Sequence, residues 1–416
     1  PDMKLLFVID SIDEPNGATP NLMRTLCVQM AAEGHAVTLL EFVNDTNTHP
    51  AVQPGVQMHT AICTGENALH AIVQQGKNRG ESNLHIIYKL FLHPKAAVAA
   101  FQHLVLRNGP RCRCVKKEIE TLCAAESFDA VLTASAPHHT AFALAAAQIS
   151  PKKMPILWDP YYTGPFYHRQ QDLHLEEKVL HHCDCVFVTQ LMQQQYLGTP
   201  LEKCLPKTVL LPFPALAFHP RAQSAPHTTV DCVFVGNVSR KVRDPLFVLE
   251  QFAAMTDARL RLILVGGGYE QFPPEYFAAT KKALGTRLLM TGVLPQAQAE
   301  QWIAQADILV SIGNIDARQL PSKIFAYLGT GKPILHFAQH ADDAALPFLR
   351  QYPLCCTLLA NQPTPIKQVE NFCLHAAGQT IPADEIKKTY YAFTPPAVSA
   401  VITRTFYKMS SKEDTQ

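Results

Sequence analysis

Short apolar runs alternate with longer segments whose apolar residues recur every three to four positions. The runs KLLFVID (4–10), AVTLLEF (36–42), FDAVLTAS (128–135), PILWDP (155–160) and DCVFVT (184–189) are bounded by turn residues. Each predicts a buried strand, because a strand covered on both faces reads as continuous rather than alternating hydrophobicity. Between the first two, NLMRTLCVQMAAEG (21–34) has helical spacing and ends at Gly34. A second series opens at Asp231 with DCVFVGN, the helical DPLFVLEQFAAM, LRLILVGG, RLLMTG, the helical AQAEQWIAQA, ADILVSIGN, the helical KIFAYLG and finally ILHF. Strands alternating with helices predict a doubly wound parallel sheet, here formed twice. The proline-rich, aperiodic LPKTVLLPFPALAFHPRAQSAPHTT between the series reads as a linker. The expected boundaries are 1–205 for the first domain, 206–230 for the linker and 231–394 for the second. AVSAVITRTFYKM (397–409) predicts a last helix, and the tail SSKEDTQ reads as disordered.

Composition narrows the functional classes. A chain of 416 residues with 47% hydrophobic residues can build two real cores. A formal net charge of +1 argues against a general nucleic-acid binder. No run of about 18 apolar residues is present, so no transmembrane helix is expected. The opening PDMKLLFVID reads as a first strand and not as a signal peptide. The 12 cysteines follow no framework spacing. They read as reduced thiols of a cytosolic protein, with zinc ligation as the alternative.

Candidate chemistry sits at strand ends. In QLPSKIFAYLGTGKPIL (319–335), Ser322 can cap a helix whose N-terminus faces the end of the preceding strand, a ready anion site. Lys323 in the first turn opposes the helix dipole and makes sense only beside an anion. In FVGNVSRKVRDPLF, Arg240, Lys241 and Arg243 lie between a strand end and a helix start, where they read as diphosphate ligands or as a solvated basic loop. Gly266, Gly267 and Gly268 close a strand and read equally as a structural turn or a ligand loop. The loop DSIDEPNGATP lacks G-x-G-x-x-G, so no dinucleotide fingerprint is present. Asp159 ends a strand and reads as a turn cap or as a base for a hydroxyl. His138 and His139 follow another strand end. Residues 82–117 hold seven Lys and Arg, three His and no acid, interleaved with apolar residues. That pattern fits a helix on an anionic membrane or a basic solvated face.

Several of these segments together resemble retaining glycosyltransferases of family four. P-S-K followed by G-K-P-I (321–334), NGATPNLMRTL (16–26), LEEKVLHHCDCVFV with Asp184, and TGVLPQAQAEQWIAQADILV (291–310) carry the resemblance, which is strongest over 1–40 and 230–340. It implies the GT-B architecture: two Rossmann-like domains facing a cleft, with residues 395–416 crossing back to the first. It implies a nucleoside diphosphate sugar as donor, a hydroxyl on a glycan or lipid-linked molecule as acceptor, and no metal. Gly17 and Thr19 would face the donor phosphates. Arg243 and Lys323 would stabilise the leaving diphosphate, and Asp159 would lie by the reacting sugar. The backbone at Gly292 to Leu294 would read the base. The chain departs from the family at its two glutamates: Ala326 stands where the ribose ligand would be, and Arg318 where the donor-sugar ligand would be. The expected function is therefore sugar transfer in the cytoplasm, with peripheral membrane contact through 82–117. The alternative is a non-catalytic protein of the same architecture that binds a partner transferase or a glycan.

Overall fold

The structure is a computed structural model and describes residues 2–12, 17–43, 52–63, 72–73, 82–94, 96–98, 100, 109–135, 137–162, 170–218, 228–321 and 323–413. These residues divide into two compact units, 1–214 with 395–416 and 215–394.

The first unit holds an eight-stranded sheet among the described residues. Its strands are β1 (Lys4–Asp10), β2 (Ala36–Phe42), β3 (Val56–Ala61), β4 (Ala130–Ser135), β5 (Lys152–Lys153), β6 (Ile156–Leu157), β7 (Val186–Val188) and β8 (Thr208–Leu210). Their order is β3-β2-β1-β4-β6-β7-β8, with β5 beside β4, and every pairing is parallel. Six of seven β1 residues are buried, as a strand covered by helices on both faces requires. The helix Ala18–Ala32 buries Leu22, Met23, Leu26, Cys27 and Met30, one stripe at helical spacing. It ends where Gly34 takes φ +93°, a conformation that costs glycine little. The last helix, Pro395–Glu413, packs on the helix Ala18–Ala32, with Ser399 bonded to Glu33.

The second unit holds β9 (Val230–Val235), β10 (Leu260–Val265), β11 (Leu288–Gly292), β12 (Ile308–Ile312), β13 (Ile334–Ala338) and β14 (Cys355–Leu359), in the parallel order β11-β10-β9-β12-β13-β14. A core of Cys232, Phe234, Val248, Phe252, Leu262, Leu264, Val310 and Phe337 joins the sheet to its flanking helices. In both sheets the strand order reverses between the first strand and the fourth. The ladder stops early there: the last pair between β9 and β12 is Val233 with Leu309, and the last between β1 and β4 is Val8 with Thr133. Such a reversal leaves a crevice at the carboxyl ends, where open α/β sheets bind ligands.

Three expectations are corrected. Cys63 and Cys114 form a disulfide that links the end of β3 to the helix Gly109–Ala125, so not all thiols are free. Such bonds are rare in reducing compartments, and the cysteine argument for the cytosol falls with it. A separation of 51 positions made the pair invisible to local spacing. The stretch expected as linker contributes β8, because TVL pairs with β7. The tail is helical through Glu413, as a continuation of the last helix.

Candidate functional site

Two cations meet at the strand reversal of the second unit. Val235 ends β9, and Gly236 follows with no side chain. A Cβ at Gly236 would lie 3.6 Å from both Arg243 Nη1 and Lys323 Nζ and 3.2 Å from Phe234 Cζ, so the two cations and the ring close around the position that glycine leaves bare. Arg243 reaches it from a tight turn in which Ser239 and Arg243 bridge in antiparallel fashion, their N–H groups donating 2.9 and 2.8 Å bonds to each other's carbonyls. Its Nη2 donates to Asn314 Oδ1 at 3.0 Å, and Asn314 lies just past β12, across the reversal. Arg243 Nε is buried and has no hydrogen-bond partner among the described residues. Lys323 opens the helix Lys323–Gly329, and its ammonium donates to Val235 O at 3.1 Å.

The electrostatics follow from this geometry. Lys323 as a residue keeps exposed surface, while its ammonium is held against the Val235 carbonyl and beside Arg243. Enclosure, with the nearby Arg243, brings its pKa down from 10.5 to about 8. Burial likewise lowers Arg243, against the pull of Tyr327 and Asp343. Neither cation forms an ion pair among the described residues. Two partly dehydrated, unpaired cations are costly unless an anion joins them. A phosphate oxygen there would receive charge-assisted bonds from both.

The other expected residues are placed as follows. Arg240 lies over the rings of Phe272 and Tyr276, at 5.7 and 5.6 Å, and does not join Arg243. Lys241 is exposed at the turn tip. Ser322 lies outside the described residues. Gly266 and Gly268, at φ +135° and +93°, have a packing reason: a Cβ on either would stand 2.0 Å from the carbonyl oxygen of Gly236 or Val238. Gly292 adopts φ +73° and accepts from Gly266 N–H at 3.0 Å, while Leu294 is half-buried. Ala326 is half-buried on its helix. Arg318 is held bidentately by Asp316, with both bonds at 2.9 Å.

At the reversal of the first unit, Gly17 precedes the helix Ala18–Ala32 with φ −63°, so its conformational freedom is not used. Thr19 Oγ1 donates to Ser135 O at 3.3 Å, tying the helix start to the end of β4. Asp159 is half-exposed. Its carbonyl bonds His138 Nε2 at 2.7 Å and accepts from Ser135 Oγ at 3.3 Å. Burial lowers His138 to about 4, so it is neutral at physiological pH. The loop after Asp159 is fixed by buried Glu176, which accepts from Tyr162 N at 2.6 Å and Tyr196 Oη at 2.5 Å. His139 binds Asp10, and Arg111 grips the same carboxylate with bonds of 2.8 and 2.6 Å. Arg111 is thus removed from the basic surface expected over 82–117. The rest of that segment includes the helix Asn83–Phe91, capped by Ser82, with Tyr88, Phe91 and Leu92 each at least 60% exposed; Lys95, His103 and Arg107 lie outside the described residues.

Sequence reading missed Gly236, Asn314, Asp10 and Arg111. Each lies at or near a strand end or helix start, but only three-dimensional pairing marks them out. Among the described residues no group of three or more His, Cys, Asp or Glu could hold a metal ion, and no helix is long and apolar enough to cross a membrane.

No protein-family profile and no curated protein matches the chain. Solved structures do. Sucrose-phosphate synthase from Thermosynechococcus elongatus superposes with a TM-score of 0.66 at 14% identity, covering 98% of this chain and 100% of the other. A glycosyltransferase from Rickettsia africae gives 0.60 at 11%, covering 98% of each chain. HepE from Anabaena, solved with UDP and glucose, gives 0.57 at 13% and full coverage of both. The fold is therefore GT-B, with two doubly wound α/β units and structural neighbours that are glycosyltransferases.

Proposed function

We propose that this chain is a retaining glycosyltransferase of the family-four type, taking a sugar from a nucleoside diphosphate donor to a hydroxyl. The observation that carries this reading is the convergence of Arg243 and Lys323 on the bare Cα of Gly236, at the reversal between β9 and β12. A diphosphate bound there keeps both cations paired as the bond from the sugar carbon to phosphate breaks and negative charge builds on the leaving group. Fixed donors aimed at developing charge are the usual source of the largest catalytic term. The acceptor oxygen bonds to the sugar carbon and gives up its proton. Asp159 takes that proton or holds sugar hydroxyls. On this reading the cations take the part of a metal, and no cofactor is required.

The acceptor is a glycan or lipid-linked hydroxyl, presented at an anionic membrane to which the protein attaches peripherally from the cytoplasm. The helix Asn83–Phe91, with its exposed Tyr88 and Phe91 beside basic residues, supports that attachment. Nucleic acid is not a partner.

A second reading is favoured by Ala326, which offers no acceptor to a ribose diol: a non-catalytic GT-B protein that binds a partner transferase or a glycan. Product analysis with UDP-, GDP-, ADP- and TDP-sugars in the presence of EDTA separates the two. Transfer or hydrolysis of a donor in EDTA supports the transferase. Nucleotide binding without product supports the second reading. Activity that only Mn or Mg restores overturns the metal-free mechanism.

A further inference from the structure

A chain of buried polar side chains runs beneath the cation site on the other side of β12. Ser311 Oγ and His336 Nδ1 are 3.0 Å apart. His336 Nε2 and Asp343 Oδ2 face each other at ion-pair distance, 3.3 Å; both atoms are buried and neither has a hydrogen-bond partner among the described residues. His336 is 0% exposed and Asp343 3%. The carboxylate presses on the strand end: a Cβ at Gly313 would lie 2.1 Å from Asp343 Oδ2. Glycine is required at 313 because the carboxylate of Asp343 occupies the side-chain position.

The loop that carries Asp343 holds a second loop. Ala344 N–H donates to Ala317 O at 2.9 Å, and His340 Nε2 lies 2.6 Å from Ile315 O. That second loop leads back to the cation. Ile315 N–H donates to Val242 O at 2.8 Å, Asn314 Nδ2 to Gln319 O at 2.9 Å, and Arg243 Nη2 to Asn314 Oδ1. Asp343 also acts on the Arg243 guanidinium through its charge. A buried carboxylate and imidazole facing each other are expensive to maintain for packing alone, since apolar residues of equal volume would do as well or better.

We propose that His336 and Asp343 are a positioning pair. They fix the 313–319 loop and, through Asn314, the orientation of the Arg243 guanidinium. The proposal rests on the donor-site reading above for its ligand, but not for its geometry.

The test uses the full chain with UDP as probe. Asp343→Asn keeps the side-chain volume and removes the charge. It should fold, as judged by thermal unfolding, and bind UDP roughly tenfold more weakly in calorimetry. In an Arg243→Ala background the same change should have no further effect. Independent, additive losses would overturn the proposal, as would unchanged affinity in Asp343→Asn. His336→Gln, which can still bond both Ser311 and Asp343, should restore most of the affinity lost in His336→Ala; equal loss in both variants counts against the pair. A second readout needs no ligand. The Arg243 Nε–H resonance in 15N-arginine-labelled protein, assigned by its loss in Arg243→Lys, should shift in Asp343→Asn. If it does not move, the proposal fails. If it moves while the wild type binds no UDP, the positioning stands and the donor reading falls.

Discussion

The two units share one topology and use an arginine at the reversal in opposite ways. In the first, Arg111 is engaged: its Nε and Nη2 both donate to Asp10, which also binds His139 and accepts from Ile12 N–H at 3.0 Å. Burial by itself would raise the Asp10 carboxyl, but His139 and Arg111 overcome it and hold the group well below the usual carboxylate range. In the second, Arg243 has one neutral acceptor, an unpartnered Nε and another cation for a neighbour. An arginine drawn in at a strand reversal therefore does not always serve the same purpose. The satisfied one holds the fold together, and the unsatisfied one needs a further partner.

Removing single partners should sharpen this contrast most. Asp10→Ala strands a buried guanidinium and should cost about 3–5 kcal/mol in denaturant unfolding. Arg243→Ala should change stability by no more than about 1 kcal/mol, because relief of the buried charge offsets the lost bond to Asn314, yet it should weaken UDP binding by about 1.5–3 kcal/mol. If both variants unfold alike, the distinction collapses. The Asp10 contribution is depressed-pKa in sign. It is fully present above the ordinary value of 3.8 and is lost as pH falls below that toward the native pKa.

Next in size is the pH profile of the second unit. Lys323 titrates near 8 without ligand, and an anion raises that value. UDP affinity should therefore be nearly flat from pH 7 to about 7.5, fall about fivefold between pH 8 and 9 and about tenfold for each further unit, as expected when binding requires one proton on the ammonium. A flat profile to pH 9 would mean that the ammonium does not meet the phosphate. The smallest effect is expected at the surface of the first unit. Lys89→Glu should weaken binding to anionic vesicles by about 1–2 kcal/mol, with no change on neutral ones. Equal flotation of both proteins with anionic vesicles at low salt would remove the membrane partner.

The sequence revealed what depends on local pattern. Continuous apolar runs marked β1, β2, β4, β9, β10 and β12, and KIFAYLG matched its helix residue for residue. It did not reveal β3, whose VQMHTA mixes exposures on a sheet edge, or β14, whose CCTLL is short and half-buried. The cation site was half legible. Arg243 and Lys323 sit in recognisable strand-to-helix loops, but three basic residues in one turn look alike on paper. Only the fold shows that Arg240 rests on an aromatic pair while Arg243 turns inward. Asn314, His336 and Arg111 act through contacts 71, 25 and 101 positions distant, beyond the reach of any local motif.

The bond between Cys63 and Cys114 closes the intervening chain into a covalent ring, anchored at both ends to the first unit. The helix Asn83–Phe91, with its exposed aromatic and basic residues, hangs within that ring. A protease cut inside it would leave the polypeptide in one piece on a non-reducing gel and in two after reductant.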